Sequence, residues 1–188
     1  MDADCARKSS DGVGRLQGRC ETMSADGHQE ALRHGRYSQA WGLYHVTKCL
    51  LPAAQFAPEQ RTDVVQAFLH GRTQGWLLLH AFVVMPDHWH ALLSIQTEKS
   101  LAQLVHALCR HASFTSRKQE HPLLWQSGFH DHKVRSGESV VDIVRYIENN
   151  PVRKQLVATP AEWTWSSAAP QFHDQLDRNF LDHERWAK

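Results

Sequence analysis

The chain has 188 residues, 41% of them hydrophobic, and a net charge of +1. That length and apolar share suit one globular domain with some tail and exclude a wholly disordered chain. No apolar run approaches the roughly 20 residues a membrane helix needs, and residues 1–10 lack a basic-then-apolar signal pattern, so a cytoplasmic protein with no membrane partner is expected. Cys5, Cys20, Cys49 and Cys109 form no Cys-x-x-Cys pair, which argues against a zinc ribbon or a disulfide framework. Positive charge is local: residues 99–154 carry nine Lys/Arg against five Asp/Glu, plus five histidines. This pattern suits a local anionic partner, though a solvated helical face gives it equally well.

Residues 1–36 are rich in Gly, Ser, Asp, Arg and Gln without apolar period, and read as a disordered or weakly ordered extension. Order is expected from Tyr37–Trp41, with a first strand over Trp41–Leu51 closed by Pro52. Pro58 opens a helix to about Gly71, with Val64, Val65, Phe68 and Leu69 as its stripe. The nearly all-apolar Trp76–Met85 predicts a central strand covered on both faces. After a Pro86-Asp87 turn, His88–Ile95 alternates, with Trp89, Ala91, Leu93 and Ile95 on one face and His88, His90, Leu92 and Ser94 on the other. Ser100 caps a helix to about Lys118, and an irregular or strand-like stretch covers Leu123–Arg135. Ser139 caps a further helix that must end before Pro151. The chain then turns back, with Trp163 and Trp165 packed on the domain. The element order implies an α+β fold, an antiparallel sheet with helices packed on it. It gives a domain over 37–170 and a C-terminal tail over 171–188.

Two constellations carry chemistry. His88 and His90 lie two apart on a strand, so both imidazoles leave one face and one ion can bridge them, while Trp89 anchors the strand beneath. In a chain with fourteen histidines such a pair also arises by chance. Tyr146 and Asn150, at i and i+4, share one side of a helix whose buried stripe is Val140, Ile143, Val144 and Ile147. A tyrosine at that flank reaches sideways over a neighbouring sheet, or simply packs its ring and hydrogen-bonds its hydroxyl.

Four stretches occur in order: Val84-Met-Pro-Asp-His-Trp-His-Ala-Leu-Leu93, Trp125-Gln-Ser-Gly-Phe129, Tyr146-Ile-Glu-Asn-Asn-Pro-Val152 and Trp165-Ser-Ser167. Together they closely resemble the REP-associated tyrosine transposases, within the single-tyrosine HUH (His-hydrophobic-His) group of insertion-sequence transposases. The resemblance covers roughly Tyr37–Ser167. It implies a ferredoxin- or RRM-like sheet, Mg²⁺ or Mn²⁺ held by His88, His90 and Asn150, and Tyr146 as nucleophile. The implied reaction cleaves and rejoins single-stranded hairpin DNA of the REP type through a 5′-phosphotyrosine, by a monomer or a homodimer. A phenol has an ordinary pKa near 10 and needs such activation; no residue stands out as its base.

Lys133, Arg135, Arg117, Lys118 and Arg153 are the expected DNA contacts, with Arg110 and Lys154 as further candidates. After Tyr44-His-Val-Thr47 the chain departs from the group's usual polar or basic set with Lys48-Cys-Leu-Leu-Pro52. Two rival readings differ in chemistry: a zinc hydrolase joining His88 and His90 to His80 or His45, and a domesticated module on the same fold that binds nucleic acid without cleaving it.

Overall fold

The computed structural model describes residues 42–117 and 122–178. The expected extension over residues 1–36, the onset of order at Tyr37–Trp41, and Lys118 lie outside the described residues. Four strands, β1 (Leu43–Cys49), β2 (Leu77–Val84), β3 (His88–Ile95) and β4 (His130–Lys133), form one sheet in the order β2-β3-β1-β4. Every pairing is antiparallel. The helices are α1 (Pro58–Thr73), α2 (Leu101–Arg117), α3 (Val140–Glu148) and the one-turn α4 (Asn150–Arg153). The α+β fold read from the sequence is thus borne out. No helix among the described residues is long and apolar enough to cross a membrane.

The sheet has a core on each face because its strands alternate. Trp89, Ala91, Leu93 and Ile95 meet Val64, Val65 and Phe68 of α1 and Leu101, Leu104, Val105 and Leu108 of α2. On the opposite face Leu92, Ala81, Val83 and Met85 receive Val140, Ile143, Val144 and Ile147 of α3. Those four residues are the stripe that the helical period selects. Ser100 Oγ accepts from the Gln103 N–H and Gln103 Oε1 accepts from the Ser100 N–H, a reciprocal cap that starts α2. Ser139 Oγ likewise accepts from the Asp142 N–H at the start of α3.

One reading is revised. β2 is an edge strand, not a central one. It is apolar because both faces are covered and its outer edge is filled: Val84 N–H donates to the Trp165 carbonyl, Ser167 N–H to that of Phe82, and Asp177 N–H to that of Leu79. That last bond also carries the packed chain past residue 170, where the domain was expected to end. The stretch Leu123–Arg135, expected to be irregular or strand-like, is irregular except for the strand His130–Lys133 and an isolated bridge from Trp125 to Leu50. The tyrosine helix ends before Pro151 as expected: α3 closes at Asn149, and a separate one-turn helix follows in which Pro151 occupies a first-turn position, where its missing N–H removes no bond.

Candidate active site

β1 and β3 bring the histidines together, and α3 lays the tyrosine against them. In the β1–β3 register Thr47 faces His90 and His45 faces Leu92, so His45, Thr47 and His90 share the face that α3 covers. Thr47 Oγ1 stands 2.8 Å from His90 Nδ1, and His45 Nε2 stands 3.3 Å from the same atom. His88, one turn of the pleat away, has its ring centroid 4.9 Å from that of His90 and its Nδ1 2.6 Å from Asp87 Oδ1. Tyr146 meets both His90 and His45 edge-on, each at 5.9 Å between centroids. The Arg153 guanidinium lies 4.9 Å from the centre of the Tyr146 ring.

Electrostatics follow from burial. His90 is held well below its ordinary pKa by burial first, then by the charges His88, His45 and Arg153 would bring. Burial, and then His132, pull His45 down to about 4. Both rings are therefore neutral at pH 7. The His88 bond pulls the Asp87 carboxyl below its usual range. His132, which faces His45 across β1–β4, bonds Glu138 at 2.6 Å. A line of imidazoles thus crosses the sheet, ending on a carboxylate at each side.

The donor set suits a divalent ion only in part. In both His88 and His90 the hydrogen bond falls on Nδ1; in the tautomer that carries its proton there, Nε2 is left as the lone-pair donor. Asn150 is not joined to them by any such bond. Its Nδ2 donates to the Tyr146 carbonyl at 2.8 Å and lies 3.4 Å from that of Ile147. Among the described residues no group of three or more His, Cys, Asp or Glu side chains is gathered to hold an ion. The histidine pair fits an ion as two of its ligands, with oxygen donors needed to complete the shell.

The expected DNA contacts separate. Arg153 is at the tyrosine, and Lys154 is close enough to Asp87 to lower its pKa. Arg110, Phe114 and Arg117 of α2 line a groove with Trp125, across the sheet from the tyrosine. Lys133 pairs with Tyr44, and Arg135 is exposed just beyond β4. Lys48 faces away from the site: buried beside Trp89's face of the sheet, its ammonium donates to the Gln126 and Gly128 carbonyls and holds that loop. His80 is engaged at Nδ1 by the Asp177 carbonyl and at Nε2 by Ser94, at the sheet edge, so it does not join the histidine pair. Sequence reasoning missed Thr47 and Asp87 as partners of the histidines and placed His45 only in the rival zinc site. Their only signal was the two-residue spacing of His45 and Thr47 on β1.

A tyrosine set against paired histidines on an antiparallel sheet is the arrangement that the resemblance of the four motifs implies. The model of the IS200-like transposase family matches residues 53–150, over half of the chain, and the chain belongs to that family. A Haemophilus influenzae protein, provisionally named a REP-associated tyrosine transposase, is 25% identical over 99 residues. The match takes in 46% of this chain and 56% of the relative, so the chain spans about half the length of that curated protein. The solved structure of a REP-associated tyrosine transposase bound to a REP hairpin superposes with a TM-score of 0.61 at 21% identity. It covers 75% of this chain and 82% of that one, a likeness of fold. The resemblance read from the four motifs is borne out by these matches.

Proposed function

We propose that the chain cleaves and rejoins single-stranded hairpin DNA of the REP type through a covalent bond to Tyr146. The observation that carries this reading is the edge-on placement of the Tyr146 ring on His90 and His45, with Arg153 beside it. Membership of the transposase family supports it, as does a fold shared with a protein held in complex with a REP hairpin.

His88 and His90 would hold Mg²⁺ or Mn²⁺ through Nε2, with Asn150 available as an oxygen donor once its amide turns from the helix carbonyls. When bound, such an ion draws charge from the non-bridging oxygens of the scissile phosphate. Thr47 and Asp87 fix the ring orientations of His90 and His88. Arg153 sits where its guanidinium can take a phosphate oxygen next to the phenol. The Tyr146 oxygen forms the new bond to phosphorus as the bond to the 3′-oxygen breaks. The phenol proton leaves to solvent or DNA, and the 3′-oxygen gains one. Because a phosphodiester is exchanged for a phosphotyrosine diester, a 3′-hydroxyl can reverse the step and join strands.

The test is a denaturing gel of the protein with labelled hairpin DNA from its own flanking sequence, with Mn²⁺, beside EDTA and Tyr146→Phe controls. The proposal expects label at protein mass, lost in both controls. Cleavage that persists in Tyr146→Phe overturns the nucleophile, and binding without any covalent product favours a module that no longer cleaves.

A further inference from the structure

The tyrosine helix carries one group that the reaction does not use. Tyr146, Ile147 and Glu148 follow one another at about 100° each around the helix axis. Ile147 is fully buried against the sheet, so Tyr146 projects from one flank and Glu148 from the other. On that second flank Glu148 Oε1 accepts from Ser167 Oγ at 2.8 Å and from the Arg178 guanidinium. Each donor is tied to the outer edge of β2. Ser167 Oγ accepts from the Phe82 N–H at 3.0 Å, and the Ser167 N–H donates to the Phe82 carbonyl at 2.9 Å. Arg178 Nε donates to the His80 carbonyl at 3.0 Å. Its neighbour Asp177 accepts from the Leu79 N–H at 2.9 Å and takes a two-bond fork from Arg72 at 2.8 and 2.9 Å. Ser167 is completely buried, and the Glu148 side chain is 16% exposed.

We infer that Glu148, Ser167 and Arg178 form a clamp that sets the roll of the tyrosine helix about its axis, and thereby the place of Tyr146 at His90. An apolar stripe resists separation from a sheet but resists rotation weakly, because hydrophobic contact is not directional. A charged bond on the far flank supplies the missing restraint. The Trp-Ser-Ser stretch, to which the reaction gives no role, gains one here. With side chains reaching about 5–6 Å from a helix axis, a roll of roughly 10° carries the tip of Tyr146 through about 1 Å. A displacement of that size at a reacting atom slows a reaction on the order of 100-fold. These are positioning residues, since none touches the reacting atoms.

The inference rests on Tyr146 as nucleophile, and its test separates the two. Arg178→Ala and Glu148→Gln are compared with wild type for the rate of adduct formation, the Kd for the same hairpin, and the ¹⁹F spectrum of protein carrying 3-fluorotyrosine. The chain has three tyrosines, so Tyr146→Phe assigns the Tyr146 resonance. Ser167→Ala is the second variant should Glu148→Gln fold poorly. The clamp predicts a 10- to 100-fold slower adduct rate, a Kd within about twofold, and a shifted or broadened Tyr146 resonance. Variants that keep the wild-type rate and the wild-type resonance overturn it. Should wild type form no adduct at all, the proposed reaction fails while the resonance still decides the clamp.

Discussion

Thr47→Val removes one oxygen from the site and leaves its shape. In the native chain Thr47 Oγ1 lies 2.8 Å from His90 Nδ1, while the other candidate partner, His45 Nε2, lies at 3.3 Å. Valine deletes the shorter bond and leaves the longer one. Outer partners of this kind are worth roughly 10- to 100-fold in metal affinity, or about 1.4–2.7 kcal/mol. Because His45 still restrains the ring, the lower end, about tenfold, is expected. The cost to stability should be about 1 kcal/mol, the net value of one such bond. The assay is a Mn²⁺ titration of adduct formation on hairpin DNA, paired with calorimetric Mn²⁺ binding. The half-saturating Mn²⁺ should rise about tenfold, with the rate at saturation within a few-fold of wild type. A half-saturation point within twofold of wild type, in an assay where His90→Ala abolishes binding, would refute the claim that Thr47 orients a metal ligand.

Acid should destabilise the metal-free protein through its buried imidazoles. His45 is held at about 4, and His90 and His80 are also lowered by burial, against about 6.5 in an unfolded chain. The unfolded chain therefore takes up protons first, so stability present above pH 6.5 is lost as pH falls toward 4. The Tm at pH 5 should lie at least about 3 °C below that at pH 7.5, and equal values would contradict the neutral rings. Ser116→Ala strips the buried Asp63 carboxylate of a 2.7 Å bond joining α2 to α1. The denaturant midpoint should report a loss of about 1.5–3 kcal/mol, and a loss below about 0.5 would contradict the bond's importance. Arg153→Gln should slow adduct formation about tenfold and lower the salt dependence of hairpin binding by about one ion; an unchanged salt slope would leave Arg153 without a phosphate.

Much of the fold was legible because periodicity is a local property. The alternation of His88–Ile95 and the stripe Val140, Ile143, Val144, Ile147 each named their buried faces correctly. Strand order was not legible. The apolar run of β2 announces cover on both faces, and nothing in it distinguishes neighbouring strands from the segments Trp165–Ser167 and Asp177–Arg178 that fill its edge. The candidate site divides in the same way. His88, His90 and Tyr146 stand out through spacing and motif, whereas Thr47 reaches His90 only through the β1–β3 register. That register depends on pairing between residues as far apart in the chain as Leu43 and Ser94, which no local pattern encodes. Lys48 shows the converse: a basic residue near the site in sequence turns to the opposite face and ties a loop.

The most direct measurement is mass spectrometry of the protein after reaction with hairpin DNA and Mn²⁺, followed by nuclease and protease digestion. The account predicts a residual nucleotide attached through its 5′-phosphate to the peptide containing Tyr146, and to no other residue. A nucleotide found on Tyr44, on a histidine or on a serine, or complete cleavage of the DNA without any modified peptide, would contradict it.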